Sequence, residues 1–337
     1  MTANRNNGVD ILKCLATFLI TNSHMDMMYP KFSFLATGGA IGDALFFFCS
    51  GFTLLLKPQM GGVKFENWYK RRINRIYPTI FAVAIMRCLF FGNDNNIVNI
   101  LLYGGGWFVS CIMLYYLAIY PIGLKYSKYI WHIVGAVAIL SAAWFFHSDR
   151  PEGYNMYKSV NTLKGIADPT EGGYIKWLLF FTTMLLGAWA GKWSGKIKYD
   201  GWKDVTLLLL SVGLFYALYL IPRKVYAIEW LQFFSFLPLM MSVYYFFKVM
   251  NNKRIENIYY KRWVYVPVRF IGGLCLEIYL VQFSFFTDKM NHLFPLNLLI
   301  MFAIIILSAY LLRCGARIIS QTFKESDYEW QKIIAWE

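Results

Sequence analysis

DILKCLATFLITNSHMDMM, residues 10 to 28, is the stretch on which the fold turns. Residues 9–28 form an apolar run long enough, at about 1.5 Å per residue, to cross a hydrocarbon core of roughly 30 Å as a helix. Lys13 and His24 interrupt it eleven residues apart. Eleven residues is almost three helical turns, so the two side chains lie on one face, about 16 Å apart along the axis. Ionisable groups at membrane depth are costly and mark a working site by default.

The whole chain has the same character. Of 337 residues, 58% are hydrophobic, 19% aromatic and 15% charged. Soluble domains carry about 25% charged residues, so the composition indicates an integral membrane protein. The net charge of +14 does not imply a nucleic-acid partner, because the basic residues fall in short clusters between apolar segments. Cys14, Cys49, Cys88, Cys111, Cys275 and Cys314 all lie in or beside apolar stretches and form no CxxC pair, as small apolar filler does. The first apolar stretch carries Asp10 and Lys13 without a small-residue cleavage pattern, so a retained helix is expected.

Ten spans are expected, at about 9–28, 40–57, 76–92, 98–122, 129–147, 174–191, 203–221, 228–248, 270–287 and 297–313. Lys and Arg alternate with them. The connection 57–75 holds Lys57, Lys64, Lys70, Arg71, Arg72 and Arg75, and 248–269 is equally basic. Lys125 and Lys128, then Lys192 to Lys203, then Arg313, Arg317 and Lys324 fall on the same side. The intervening loops are poorer in cations, which predicts cytoplasmic termini and a multi-pass protein of the inner (cell) membrane. One opposite-side connection, from His147 to Gly173, is long and polar, and reads as an acceptor platform, a lid or a plain solvated loop.

His24 and Asp43 are predicted at similar depth, one ending the first span and the other opening the second. Carboxylate plus imidazole is the pair that orients a general base. Asp26, two residues from His24 and on another face, suits a solvated position. His132, His147 and His292 have no acidic residue directly beside them in sequence. In YKRRINRIYPTIF, Arg72 and Arg75 are neighbours on a helix beside Arg71. Such a cluster suits phosphate, and equally a topology signal facing lipid headgroups. Arg87 lies deeper and needs an anionic partner: Asp43, Asp94 or a substrate. Gly104 to Gly106 with Trp107 suit close backbone approach, stacking or interface packing. Glu277 is the remaining deep carboxylate, expected to face the interior.

Taken in order, these segments resemble acyltransferase family 3, integral membrane O-acyltransferases. The basic residue, ten intervening residues and His of its first helix are matched by Lys13 and His24. DALFFFCSGF, with Asp43 and Ser50, is similar to its second-helix run; Arg71, Arg72, Arg75 and Pro78 to its basic motif; Trp107, Phe108, Tyr116 and Pro121 to the next; and IGGLCLEIYLVQ, residues 271–282, to the last. Lys13 stands where Arg is commoner, Cys275 for Ser and Gln282 for His.

The resemblance implies an all-α polytopic fold with one transmembrane domain over 1–337 and no soluble accessory domain. It implies transfer of an acyl group, commonly acetyl, from cytosolic acyl-CoA to a hydroxyl of a carbohydrate or lipid-linked glycan, without a metal. His24 is then the base oriented by Asp43. Lys13, Arg72 and Arg75 meet the acyl-CoA, and Arg71, Arg87, Ser50, Trp107 and Glu277 support the site. Rival readings are a transporter or flippase, against which the lack of internal repeats counts, and a non-catalytic scaffold. Homo-oligomerisation stays open.

Overall fold

A computed structural model describes residues 6–54, 62–92, 96–158 and 173–336, and every regular element among them is helical. Helix α1 is Asn7–Ser23, α2 Gly39–Leu54, α3 Phe65–Phe91, α4 Ile97–Tyr103, α5 Gly106–Pro121, α6 Ile130–His147 and α7 Gly173–Trp193. They are followed by α8 Gly201–Lys224, α9 Phe236–Met250, α10 Lys253–Tyr259, α11 Arg262–Gly273, α12 Cys275–Val281, α13 Leu296–Thr322 and α14 Trp330–Ile333. Local chemistry sets several ends. Gly92 closes α3 in the left-handed region at φ 64°, with its N–H on the Arg87 carbonyl. The Asn96 side chain opens α4 by accepting the Val98 N–H at 2.9 Å.

By length and apolar content, six described stretches suffice to cross a membrane, and seven with the bent pair of α11 and the stretch Cys275–Ser284 counted as one. The protein is therefore multi-pass, while ten spans exceeds what these elements support. Three physical reasons account for the difference. Gly104 and Gly105 break the 98–122 segment, so that α4 is only 7 residues long. The segments 98–122 and 129–147 run on as one helical stretch of 42 residues, Gly106–His147, through a π turn at Ile122–Tyr126 and a 3₁₀ turn. Helix α1 stops at Ser23 after 17 residues, short of the expected 9–28 span, and charge inside α1 (Asp10, Lys13) and α7 (Lys176, Lys192) lowers their apolar content.

The chain forms two compact units that interleave along the sequence. The first comprises Met1–Leu12, Asp43–Val63 and Cys111–Tyr260. In it α2 buries Leu45, Phe47, Phe48 and Phe52 and crosses α7 at close range. A methyl group at Gly51, Gly187 or Gly191 would collide with the backbone carbonyl of Met184, Phe48 or Phe52 respectively. Small residues allow this approach where lipid offers no hydrophobic drive between helices. Gly187→Val is therefore expected to destabilise the protein by at least about 1–3 kcal/mol, since the obstacle is backbone that cannot rotate away. Thermal denaturation in detergent checks it, and an unchanged midpoint would refute the crossing.

Polar ties complete this unit. Tyr259 donates its hydroxyl to Asp10 at 3.0 Å, Lys248 pairs with buried Asp204 at 2.6 Å, and Arg150 pairs with Glu229 at 2.7 Å. Of the long connection after α6, residues 148–158 are described, and Gln232 donates to the Tyr154 carbonyl at 2.9 Å. Residues 159–172, on which the platform or lid reading also rests, lie outside the described residues, as does Lys57.

The second unit comprises Lys13–Gly42, Lys64–Ser110 and Lys261–Glu337. Here α13 packs along α3 and α12. The chain bends by 56° between α11 and α12, at Leu274. The tail after α13 folds back on it: Tyr310 donates to the Ile334 carbonyl at 2.7 Å and Arg317 to that of Ile333 at 3.0 Å.

Candidate active site

The bent half-helix α12 organises the candidate residues of the second unit. A bend leaves carbonyls of the preceding turn without helical partners. Arg313, from α13, takes up the Gly273 carbonyl and grips Glu277 with both arms of its fork, Nη2 at 3.0 Å and Nε at 3.2 Å. Glu277 is 6% exposed, as the interior position expected for it requires. A bidentate guanidinium–carboxylate pair is the geometry in which a buried charge pair is best compensated.

At the Cys275 end of α12, charge accumulates. Lys13 of α1, Arg75 of α3, Arg313 and Glu277 all lie close enough to act electrostatically on the Cys275 thiol. Lys13 and Arg75, paired by sequence reasoning alone as acyl-CoA ligands, thus both lie within electrostatic reach of the Cys275 end. Arg72 is half-buried over the Trp68 ring at 5.0 Å, and Arg71 is exposed with its Nε on the Asn67 carbonyl at 3.3 Å.

At the other end, residues 279–283 gather a second group. The His24 ring packs on Phe283 at 4.7 Å between centroids. Arg87 donates from Nη2 to the Leu280 carbonyl at 2.8 Å. Tyr279 packs on Phe108 with tilted rings at 5.5 Å, and Phe108 in turn meets Trp107 edge-on at 5.9 Å. The Tyr279 hydroxyl also closes on Gly106, where a Cβ would stand 3.0 Å away and where φ is +65°. Gln282 is fully buried in this turn. Cys14 is also within electrostatic reach of Cys275, so the Lys13–Cys14 part of α1 lies towards one end of α12 and His24 towards the other. The Cys275 and Gln282 ends are separated by about 10 Å of half-helix.

The structure gives Arg87 a backbone partner that the sequence did not suggest. Its bonded partner is the Leu280 carbonyl near the C-terminal end of α12 rather than Asp43, and Asp94 lies outside the described residues. The last carbonyls of a helix carry partial negative charge, which suffices for a guanidinium at that depth. Asp26 is exposed, as expected of a solvated carboxylate.

Asp43 and Ser50 belong to the first unit. Asp43 is 8% exposed and its carboxylate pairs with Lys176 of α7 at 3.6 Å. Lys176 is itself 2% exposed and also donates to the Tyr157 carbonyl at 3.2 Å. Ser50 is half-buried on α2, and its carbonyl accepts the Thr53 hydroxyl at 3.0 Å.

Sequence reasoning missed Lys176 and Arg313. Lys176 carried a legible signal, a lone cation inside the apolar run YIKWLLFF. Arg313 was read only as a topology marker, because its carboxylate partner lies on another helix. Among the described residues no three His, Cys, Asp or Glu side chains gather to hold a metal ion.

A family model described as an acyltransferase domain matches residues 6–314, which include every candidate residue at both ends of α12. No match is found among curated proteins or among solved structures.

Proposed function

The chain belongs to acyltransferase family 3, and we propose that it moves an acyl group, acetyl in the first instance, from cytosolic acyl-CoA to a hydroxyl of a cell-surface or exported glycan. The observation that carries this reading is α12, which joins a cation-rich end beside Lys13 and Arg75 to an end that holds His24. With both termini cytoplasmic in the inner membrane, as the Lys/Arg alternation requires, the cation-rich end faces the donor's phosphates. His24 then lies towards the acceptor.

In the reaction, a nitrogen of His24 takes the proton of the acceptor hydroxyl as that oxygen attacks the thioester carbonyl carbon. The carbon–sulfur bond breaks, CoA leaves as thiolate, and the proton carried by the imidazole returns to it. A variant of the scheme, in which His24 is first acylated, uses the same residues. Asp43, held by Lys176, is retained as a carboxylate required for turnover, and Asp43→Asn is expected to lower transfer.

The test is purified protein in nanodiscs with radiolabelled acetyl-CoA and a panel of surface glycans, with product mass as readout. No turnover with any acyl-CoA would sink the reading. Arg75→Ala together with Lys13→Ala is expected to raise KM for acetyl-CoA about tenfold or more while kcat falls far less. These cations contact donor phosphates equally in ground and transition states. The wild-type KM is also expected to rise with salt, as screening weakens those contacts. A KM unmoved by either change would remove the donor assignment.

A further inference from the structure

Gln282 is fully buried, yet neither its Oε1 nor its Nε2 has a hydrogen-bond partner. Buried amides are almost always satisfied, and one left without partners is a cost that selection removes unless something else supplies them. Its neighbours on the same turn are all engaged: Tyr279 on Phe108, the Leu280 carbonyl with Arg87 and Phe283 on His24. The orphaned amide therefore sits next to the imidazole's own packing partner, at the end of α12 where the acyl group is expected to arrive.

Building on the acyl-transfer reading, we propose that Gln282 contacts both substrates. Its Nε2–H donates to the thioester carbonyl oxygen as that oxygen gains negative charge, and its Oε1 accepts the acceptor hydroxyl before His24 takes the proton. An amide supplies both functions without changing charge, as a donor aimed at a developing oxyanion must. The bond changes remain those of the transfer itself: Gln282 neither gains nor loses a proton.

The proposal separates activity from stability. Gln282→Met has similar length and no polar atoms, so it removes the unsatisfied burial. It is expected to raise the thermal midpoint while lowering kcat at least a hundredfold, with KM for acetyl-CoA within about twofold, the usual consequence of deleting one such donor. Gln282→Leu likewise carries no donor and is expected to lose kcat equally. If Gln282→Met does not insert, Gln282→Leu carries the test. Wild-type-like kcat in either variant overturns the proposal, and so does a loss of kcat accompanied by a lower thermal midpoint in both, which marks Gln282 as a structural residue. Wild-type protein runs in the same assay. Its failure to turn over any acyl-CoA would remove the acyl-transfer reading, whereas wild-type turnover with a fully active Gln282→Met removes only the role given to Gln282.

Discussion

His24→Ala is expected to lower acyl transfer by about 10²–10⁴-fold, the range in which a positioned general base contributes, while the protein still inserts and binds donor. The imidazole lies at the end of α1, half-buried, and packs on Phe283. Removing it leaves the cation-rich end of α12 in place, because Lys13, Arg75 and Arg313 act on Cys275, about 10 Å of half-helix from the Gln282 end. The measurement is kcat and KM for acetyl-CoA in nanodiscs, together with a thermal midpoint. A collapse of kcat with KM within a few-fold is the expected pattern, and transfer at the wild-type rate would rule out the base assignment. His24→Gln sharpens the comparison. It preserves hydrogen bonding without a group that titrates near neutrality, and is expected to be as inactive as His24→Ala.

The second large effect is on stability. Asp43 and Lys176 face each other at 3.6 Å, and their side chains are 11% and 2% exposed. Removing one partner leaves an uncompensated charge in a dry interior, which costs about 3–5 kcal/mol. Asp43→Asn and Lys176→Met are each expected to lower the thermal midpoint sharply. The double variant should recover much of the loss, because an apolar or neutral pair needs no compensation. Additive losses would show that the two charges do not depend on one another. Activity reports separately: the double variant, though stable, lacks the Asp43 carboxylate and is expected to transfer poorly.

These two experiments fall where the sequence was legible to different degrees. His24 was readable because its spacing from Lys13 is a property of one helix, and helical geometry is local. Asp43 stood out as a candidate for the same reason, from its place at the start of an apolar run. Its partner was not, since Lys176 lies on a different helix and only packing of α2 against α7 brings them together. Arg87 shows the same limit. Its depth implied a partner of negative character, but the partner is a backbone carbonyl of α12, which carries no side-chain signal.

By itself the sequence determined that this is an all-helical, multi-pass membrane protein with costly charged groups inside it. Hydropathy, charge and helical period are local quantities, and the bilayer tolerates little else. The ordered motifs of the family were likewise present in linear form. Tertiary structure decided which of those groups meet. The bend at Leu274 and the packing of α1, α3 and α13 around α12 bring Lys13 and Arg75 to one end and His24 to the other. They bury Gln282 without a partner. In the first unit, the packing of α2 against α7 pairs Asp43 with a lysine that no spacing rule connects to it. Contacts between distant segments depend on how helices choose their neighbours, and that choice is made by the shape of whole helix faces rather than by any one stretch of chain.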